Sequence, residues 1–238
     1  MMRIAFLALL TGFVAATFAP AAEAQAQSGN SEAAPPAYTP PARGAPQRRV
    51  GGSSRGAGDA LPSVMLLVPD HVGLTASENP ALYWYISKPT SVRVEVTLID
   101  EKGETPLIEY AVQNATGPAV HRIDLAAHKV ALKPDVEYQW SISVVPNPNE
   151  RSNDVMAGGA LKRVAEPQKI TARRAAGAPK DELARLYAGE GLWYDAIAAY
   201  SELIESRPGD RALREQRAAL LEQVGLKEIA AFDRRASQ

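Results

Sequence analysis

The chain has 238 residues, of which 46% are hydrophobic and 22% charged, and its formal net charge is −1. This balance of charge gives no global field that would gather nucleic acid. The absence of cysteine excludes disulfides, thiolate nucleophiles and cysteine-based metal sites. The length suits one full domain and a smaller second one.

The first residues have the pattern of a secretory signal peptide. Arg3 precedes an apolar run, Ile4–Phe18, and small residues with A-x-A spacing end at Ala24 or Ala26. The run is short for a membrane span, so we expect residues 1–26 to be removed and the mature chain to contain no transmembrane segment. The sequence therefore predicts an exported protein, either periplasmic or extracellular.

Two segments of low complexity follow the predicted cleavage site. Residues 27–42 are polar and rich in proline, and they predict a disordered spacer because they offer little apolar surface to bury. Residues 43–63 are rich in arginine and glycine and predict a segment that covers the next domain. Within it, Arg48, Arg49 and Arg55 are candidates for binding a partner, although ion pairs with acids of the folded domain are favoured. Near an anionic membrane each arginine contributes only about 1 kcal/mol.

The sequence contains no recognisable catalytic constellation. Ser54 sits in a G-x-S-x-G match, but no helix follows it, as a nucleophile elbow requires. The histidines, His71, His121 and His128, have neither triad context nor metal-ligand spacing. We therefore predict a protein that is not an enzyme and that holds no cofactor or metal.

Short β-type runs separated by turns fill residues 64–167. Hydrophobic residues alternate with polar ones in "SVRVEVTLID" and in "EYQWSISVV". The inward faces of these two runs are predicted to carry Val92, Val94, Val96, Leu98, Tyr138, Trp140, Ile142 and Val144. Strands at this spacing predict an antiparallel β-sandwich of about seven strands, of the immunoglobulin or fibronectin kind.

One corner of this domain carries a more specific pattern. Leu132, Pro134 and Tyr138 have the spacing L-x-P-x-x-x-Y. This resembles the entry to strand F in fibronectin type III domains, where a tyrosine hydroxyl bonds to the backbone just upstream. The resemblance implies the same bond for Tyr138.

Residues 168–238 change to a helical period and predict an α-helical appendage. Two helices are separated by "AGEG", and a third runs over residues 210–224 and ends at Gly225. The hairpin resembles one tetratricopeptide repeat in the spacing of Tyr187, Ala196, Tyr200 and Pro208. A single repeat does not stand alone, so the unit must pack on the sandwich, on another copy or on a partner. We expect Trp193 to contact the sandwich.

Aromatic pairs are the first candidates for ligand binding. Tyr83 and Tyr85 share one face of "YWYI" and could stack on a glycan, or could pack under the helices. Trp193 and Tyr194, at the start of the second helix, could anchor a partner protein, or could fill the core of the hairpin.

The turn-rich loop "PNPNERSNDV" is the strongest candidate among the loops. It gathers charged and amide side chains, of which Arg151 and Asp154 are the candidates for binding a partner. The alternative is a hairpin connection in which Asp154 bonds to the local backbone. Its spacing does not match a calcium loop.

Five motifs occur in a fixed order: "RGAPQRRVGGSSRG", "LVPDHVGLTASENPALYWYI", "YQWSISVVPNPNERSNDV", "LKRV" and "YAGEGLWYDAIAAYSEL". As a set they are similar to a bacterial Domain of Unknown Function family (nine-two-eight), frequent in photosynthetic bacteria, over nearly the whole mature chain. Many members carry one cysteine after the first motif and another after "SIS", where this chain has neither. The resemblance implies that residues 43–58 lie against the sandwich, as a disulfide between those cysteines would require.

These observations predict a non-catalytic interaction or structural module of the cell envelope, with another envelope or secreted protein as its partner and no nucleic acid. A module that binds cell wall or glycan is the alternative, and exposed aromatic residues would favour it. A hydrolase of unknown substrate is the second alternative, and it would require two or more carboxylates converging in a cleft.

Overall fold

The computed structural model describes residues 34–41, 49–51, 61–103 and 105–236. The predicted signal peptide over residues 1–26 and the candidates Arg48 and Arg55 lie outside these ranges. Within them, every helix is too short or too polar to cross a membrane.

Eight strands in two sheets form the β body of the described chain. The strands are β1 Val64–Leu66, β2 Gly73–Thr75, β3 Ala81–Ile86, β4 Arg93–Asp100, β5 Ile108–Val112, β6 Ala119–Asp124, β7 Glu137–Val145 and β8 Val155–Arg163. One sheet has the strand order β1-β3-β6, and the other has the order β2-β8-β7-β4-β5.

One strand pairing differs from the predicted antiparallel arrangement. β2 runs parallel to β8, whereas every other pair of neighbouring strands is antiparallel. The five-stranded sheet is therefore mixed, and the prediction is wrong at this edge. With only three residues, β2 is too short for an alternating pattern to reveal it in the sequence.

The predicted alternation of β4 and β7 is confirmed, and it builds the core between the sheets. Val94, Val96, Trp140 and Ile142 are all at most 2% exposed. Residues of both sheets belong to this one hydrophobic core. The segment after β1 packs closely on β8 at Gly159, where an added Cβ would stand 2.7 Å from Val68 Cγ2.

The bond expected of Tyr138 is also confirmed. Its hydroxyl accepts a hydrogen bond of 2.9 Å from the backbone N–H of Lys133, just upstream of β7. Tyr138 itself is 2% exposed, so the bond satisfies a phenolic oxygen that enters the core.

Five helices follow the strands and form the C-terminal appendage. They are α1 Gln168–Ala175, α2 Lys180–Gly189, α3 Trp193–Ser206, α4 Arg211–Gln223 and α5 Lys227–Arg235. The sequence predicted α2, α3 and α4 but neither α1 nor α5. α1 buries only Ile170, so its apolar stripe is too weak to detect.

A buried ion pair fixes α5, the other helix that the sequence pattern missed. Arg217 of α4 donates two hydrogen bonds, of 2.8 and 2.6 Å, to the carboxylate of Asp233, which is fully buried. Its third nitrogen donates to Ser201 Oγ of α3 at 2.8 Å. These bonds satisfy both charges inside the appendage and tie α5 to its neighbours.

The first turn of α3 enters the β body. Trp193 Nε1 donates to the carbonyl oxygen of Leu67 at 2.8 Å, as its expected contact with the β body requires. The hydroxyl of Tyr194 accepts from Trp140 Nε1 at 3.1 Å and donates to the carbonyl oxygen of Ala160 at 3.0 Å. Its ring lies where a side chain at Gly73 would otherwise stand. Sheets and helices are thereby joined.

Part of the predicted disordered spacer is instead held by hydrogen bonds. The backbone N–H of Tyr38 donates to Gln223 Oε1 at 2.9 Å, and that of Thr39 donates to the carbonyl oxygen of Ala188 at 3.1 Å. The Tyr38 ring meets Trp193 edge-on, with centroids 4.8 Å apart. Residues 34–41 therefore follow the helices, because one aromatic ring compensates for a polar, proline-rich composition.

We predict that Tyr194→Phe lowers the free energy of unfolding by about 1 to 3 kcal/mol, because the Trp140 N–H and the Ala160 carbonyl both lose a buried partner. Urea unfolding measures this loss. Tyr187→Phe is the matched control, since among the described residues the Tyr187 hydroxyl bonds to an exposed arginine and its removal should cost less than about 0.5 kcal/mol. An equal loss in the two variants would contradict the role given to Tyr194.

Candidate functional site

A shallow groove of about 250 Å³ lies on the outward face of the five-stranded sheet. We name it the sheet groove. Outward side chains of β4, β7 and β8 line it together with one residue of the preceding segment: Val50, Thr97, Ile99, Gln139, Ser141, Met156, Gly158 and Ala160.

Cross-strand register explains why this face is hollow. Thr97, Ser141 and Gly158 stand side by side on β4, β7 and β8. Neighbouring strands are about 4.8 Å apart, so such a row is roughly 10 Å wide. Its members are small, and the row therefore forms a floor with hydroxyl groups along it.

Exposed hydrophobic side chains flank this floor. Among the described residues, three large hydrophobic side chains are exposed: Val50 (47%), Met156 (45%) and Leu107 (42%). Two of them, Val50 and Met156, line the sheet groove. Val50 is held there because its N–H and C=O both bond to Gly158 at 3.1 Å.

Arg49 binds backbone oxygens rather than the predicted acids. One guanidinium nitrogen donates to the carbonyl oxygens of Val68 at 2.9 Å and Val224 at 3.1 Å. Burial lowers the pKa of Arg49, and the nearby Asp70 partly offsets this. Arg49 therefore links the β body to the end of α4, and the described part of the predicted covering segment lies against the sheet.

Arg151 and Asp154 meet beside the sheet groove. Arg151 Nε donates to Asp154 Oδ2 at 2.7 Å, and its Nη2 donates to Glu95 Oε2 at 2.7 Å. Glu95 is an outward residue of β4, two positions before Thr97, and it also pairs with Arg93 at 2.9 Å. The hydrogen bond from Arg151 lowers the pKa of Glu95. Arg151 thus bridges two carboxylates beside the groove, while Asp154 Oδ1 is buried without a hydrogen-bond partner among the described residues.

Sequence reasoning missed Glu95. The alternation of β4 already placed it on the outward face, but nothing in the sequence shows which side chain it meets 56 residues later. Val50, Met156 and the two glycines of β8 were missed as well. The signal for the β8 residues is the run "VMAGGA", in which small residues follow a methionine within a strand, and Val50 had no such signal.

The candidates for glycan stacking are not at the surface. Tyr83 and Tyr85 are each 3% exposed. The Tyr85 ring lies 5.1 Å from that of Phe232 in α5, and burial raises the pKa of Tyr83 to about 12. They therefore pack under the helices, as one of the two interpretations of the sequence required, and neither ring is accessible as a glycan platform.

The prediction that the aromatic pair at the start of α3 anchors a partner protein is corrected in the same way. Trp193 and Tyr194 are 0% and 2% exposed, and their polar atoms bond inside the protein. A partner has no access to either ring in this structure. Both residues hold the helices on the β body, whereas the sequence predicted this contact for Trp193 alone.

Asp195, the next residue, has the most perturbed carboxyl group among those with a resolved shift. Its Oδ2 accepts a hydrogen bond of 3.0 Å from the backbone N–H of Ala76, just after β2. Burial raises its pKa to about 6, against its hydrogen bonds to Ala76 and Thr75. Within the described ranges, no three His, Asp or Glu side chains gather as a metal ion would require.

These features define a mainly β protein with a C-terminal helical appendage. Residues 50–233 match the family described as Domain of Unknown Function (DUF928), and the chain belongs to this family. No curated protein matches the sequence. Among solved structures, a multi-domain immunophilin from Arabidopsis thaliana is similar at 8% identity and a TM-score of 0.19, over 82% of this chain and 100% of that one. A TM-score this low carries no argument.

We predict that Gly159→Ala destabilises the fold by about 1 to 3 kcal/mol, because the new methyl group would overlap Val68 between the sheets. The neighbouring Gly158→Ala is the control, since its added Cβ would find no atom closer than 3.8 Å. Thermal unfolding of the two variants compares them. Equal melting temperatures would show that Val68 does not crowd Gly159.

We predict that the free energy of unfolding falls by about 1 kcal/mol between pH 5 and pH 7 because of Asp195. The raised pKa means that the folded state binds a proton that the unfolded state has already released, so stability decreases as pH rises through this window. Asp195→Asn keeps an acceptor for Ala76 and should remove this slope. Urea unfolding of both proteins at the two pH values measures it, and equal slopes would contradict the assignment.

Proposed function

We propose that this chain is an exported, non-catalytic module of the cell envelope that binds another protein through the sheet groove. One observation carries the proposal: two of the three exposed large hydrophobic side chains of the described residues flank the same hollow. Single exposed hydrophobic residues are ordinary, but a pair beside a groove is typical of a binding surface.

The chemistry of the groove favours a peptide segment of a partner. Val50 and Met156 offer apolar contact, and methionine adapts its shape to different side chains. On the neighbouring strands β7 and β4, the amide of Gln139 and the hydroxyls of Ser141 and Thr97 can donate and accept hydrogen bonds. A peptide segment has side chains that need apolar contacts and backbone groups that need hydrogen bonds. Apolar anchors beside hydrogen-bonding groups provide both.

The helices give less support to partner binding than the sheet does. The first turn of α3 is used in joining the β body, and Tyr200, Leu203 and Ile204 further along it are buried. A tetratricopeptide repeat that binds a peptide needs a free concave face. We therefore place the partner on the sheet.

The finer features of the architecture belong to the same proposal. We infer an immunoglobulin- or fibronectin-like sandwich from two sheets that share a core and from the bond of Tyr138. α2 packs against α3, in which the small Ala196 is fully buried, and this pairing favours a tetratricopeptide-like hairpin. The N-terminal pattern of a signal peptide supports export.

The hydrolase alternative has weaker support. Glu95 and Asp154 converge, but Arg151 lies between them and lowers the pKa of Glu95. A general acid needs a pKa raised toward neutrality, which is the opposite shift.

We predict that Met156→Glu abolishes capture of the partner from an envelope extract, because it places a charge at an apolar contact of the groove. Leu107→Glu is the matched control, since Leu107 is equally exposed but does not line the groove. Quantitative mass spectrometry of the two captures against the original chain gives the comparison. Retention of the same protein by Met156→Glu, or its loss from both variants, would contradict the proposed surface.

A further inference from the structure

A second cavity lies where the helices meet the sheets, away from the sheet groove. Its volume is about 220 Å³, and we name it the junction cavity. Polar side chains from the loop after β2, from β6 and from α2 and α3 line it: Ser77, Asn79, Arg122, Tyr187, Asp195 and Glu202. Pockets for drug-sized ligands begin near about 300 Å³, so this one suits a smaller molecule of about one ring.

Charges of both signs face this cavity and compensate each other. Arg122 lies 3.2 Å from Asp124 and 4.0 Å from both Glu202 and Glu205. Lys180 Nζ is 3.4 Å from Glu202. An anion would meet the carboxylates of Asp195 and Glu202, and a cation would meet Arg122. A neutral ligand avoids both repulsions.

The polar groups of the cavity include pure acceptors, pure donors and groups that do both. The carboxylates accept, the guanidinium of Arg122 donates, and the hydroxyl of Ser77 does both. Hydroxyl groups of a sugar each donate and accept, so neighbouring hydroxyls can satisfy such a mixed lining. The remaining wall is apolar, with Pro80, Ala81, Ala198 and Ala199, and can face the C–H groups of a ring.

We propose that the junction cavity binds one neutral sugar ring of a saccharide. This site differs from the tyrosine face that the sequence suggested for glycans, and it does not depend on the sheet groove. Asp195 forms part of its lining while its Oδ2 holds the backbone of Ala76, so a single carboxylate both positions the loop after β2 and faces the ligand.

The test is a titration of the ¹⁵N-labelled full chain with two neutral disaccharides, chitobiose and cellobiose, followed by amide chemical shifts. We expect saturating shifts at Ala198–Glu202 with at least one of them. Ala198→Leu fills the cavity from a half-buried helix position and should weaken binding by about tenfold or more. Ala198→Ser leaves the volume open and should bind like the original chain.

Several outcomes would overturn the proposal. One is the absence of saturating shifts with both disaccharides, and another is unchanged binding by Ala198→Leu. If Ala198→Leu does not fold, Glu202→Gln is tested instead, because Glu202 is partly exposed. This variant removes one carboxylate and should weaken sugar binding. Stronger shifts with citrate or spermidine would show a cavity that selects charge. Met156→Glu should bind the sugars normally, so this result is independent of the sheet groove.

Discussion

The structure depends on the insertion of two aromatic side chains, at the start of α3, into the end of the β body. Trp193 and Tyr194 satisfy three polar groups there, among them the indole N–H of Trp140 in the core. A buried donor or acceptor without a partner is costly, so sheets and helices complete each other chemically as well as by shape. Separating them would expose apolar surface and leave these groups unpaired.

This junction determines which surfaces remain for binding. The apolar face of α3 and the tyrosines of β3 are buried inside the protein. Two surfaces of the described residues stay accessible: the outward face of the five-stranded sheet, hollow because its central row is small, and a polar cavity at the junction itself. The proposals of a protein partner and of a sugar ligand therefore concern two separate surfaces, of which only the cavity is formed by the docking of helices on sheets.

Local sequence patterns predicted much of the fold but few of the contacts in the candidate site. The alternation of β4 and β7 and the tyrosine before β7 were readable because they depend on residues close in sequence. Three other features could not be read from the sequence, because each joins distant positions. They are the parallel pairing of β2 with β8, the bonds of Arg49 to Val68 and Val224, and the pairing of Arg151 with Glu95. The sequence left open whether "YWYI" is exposed or packed under the helices: the strand is buried on both faces because a second layer covers it, and a strand pattern reveals only one layer.

The N-terminal segment has a consequence for the order in which the molecule can be completed. The backbone of Pro36 and Tyr38 bonds to Gln223, and Arg49 bonds to the carbonyl of Val224. These partners are separated by 175 to 187 residues, which is a long loop to close. Synthesis proceeds from the N-terminus, so this segment emerges well before its partners at the end of α4. Its bonds can therefore form only after residues 223 and 224 have been made, when most of the chain already exists.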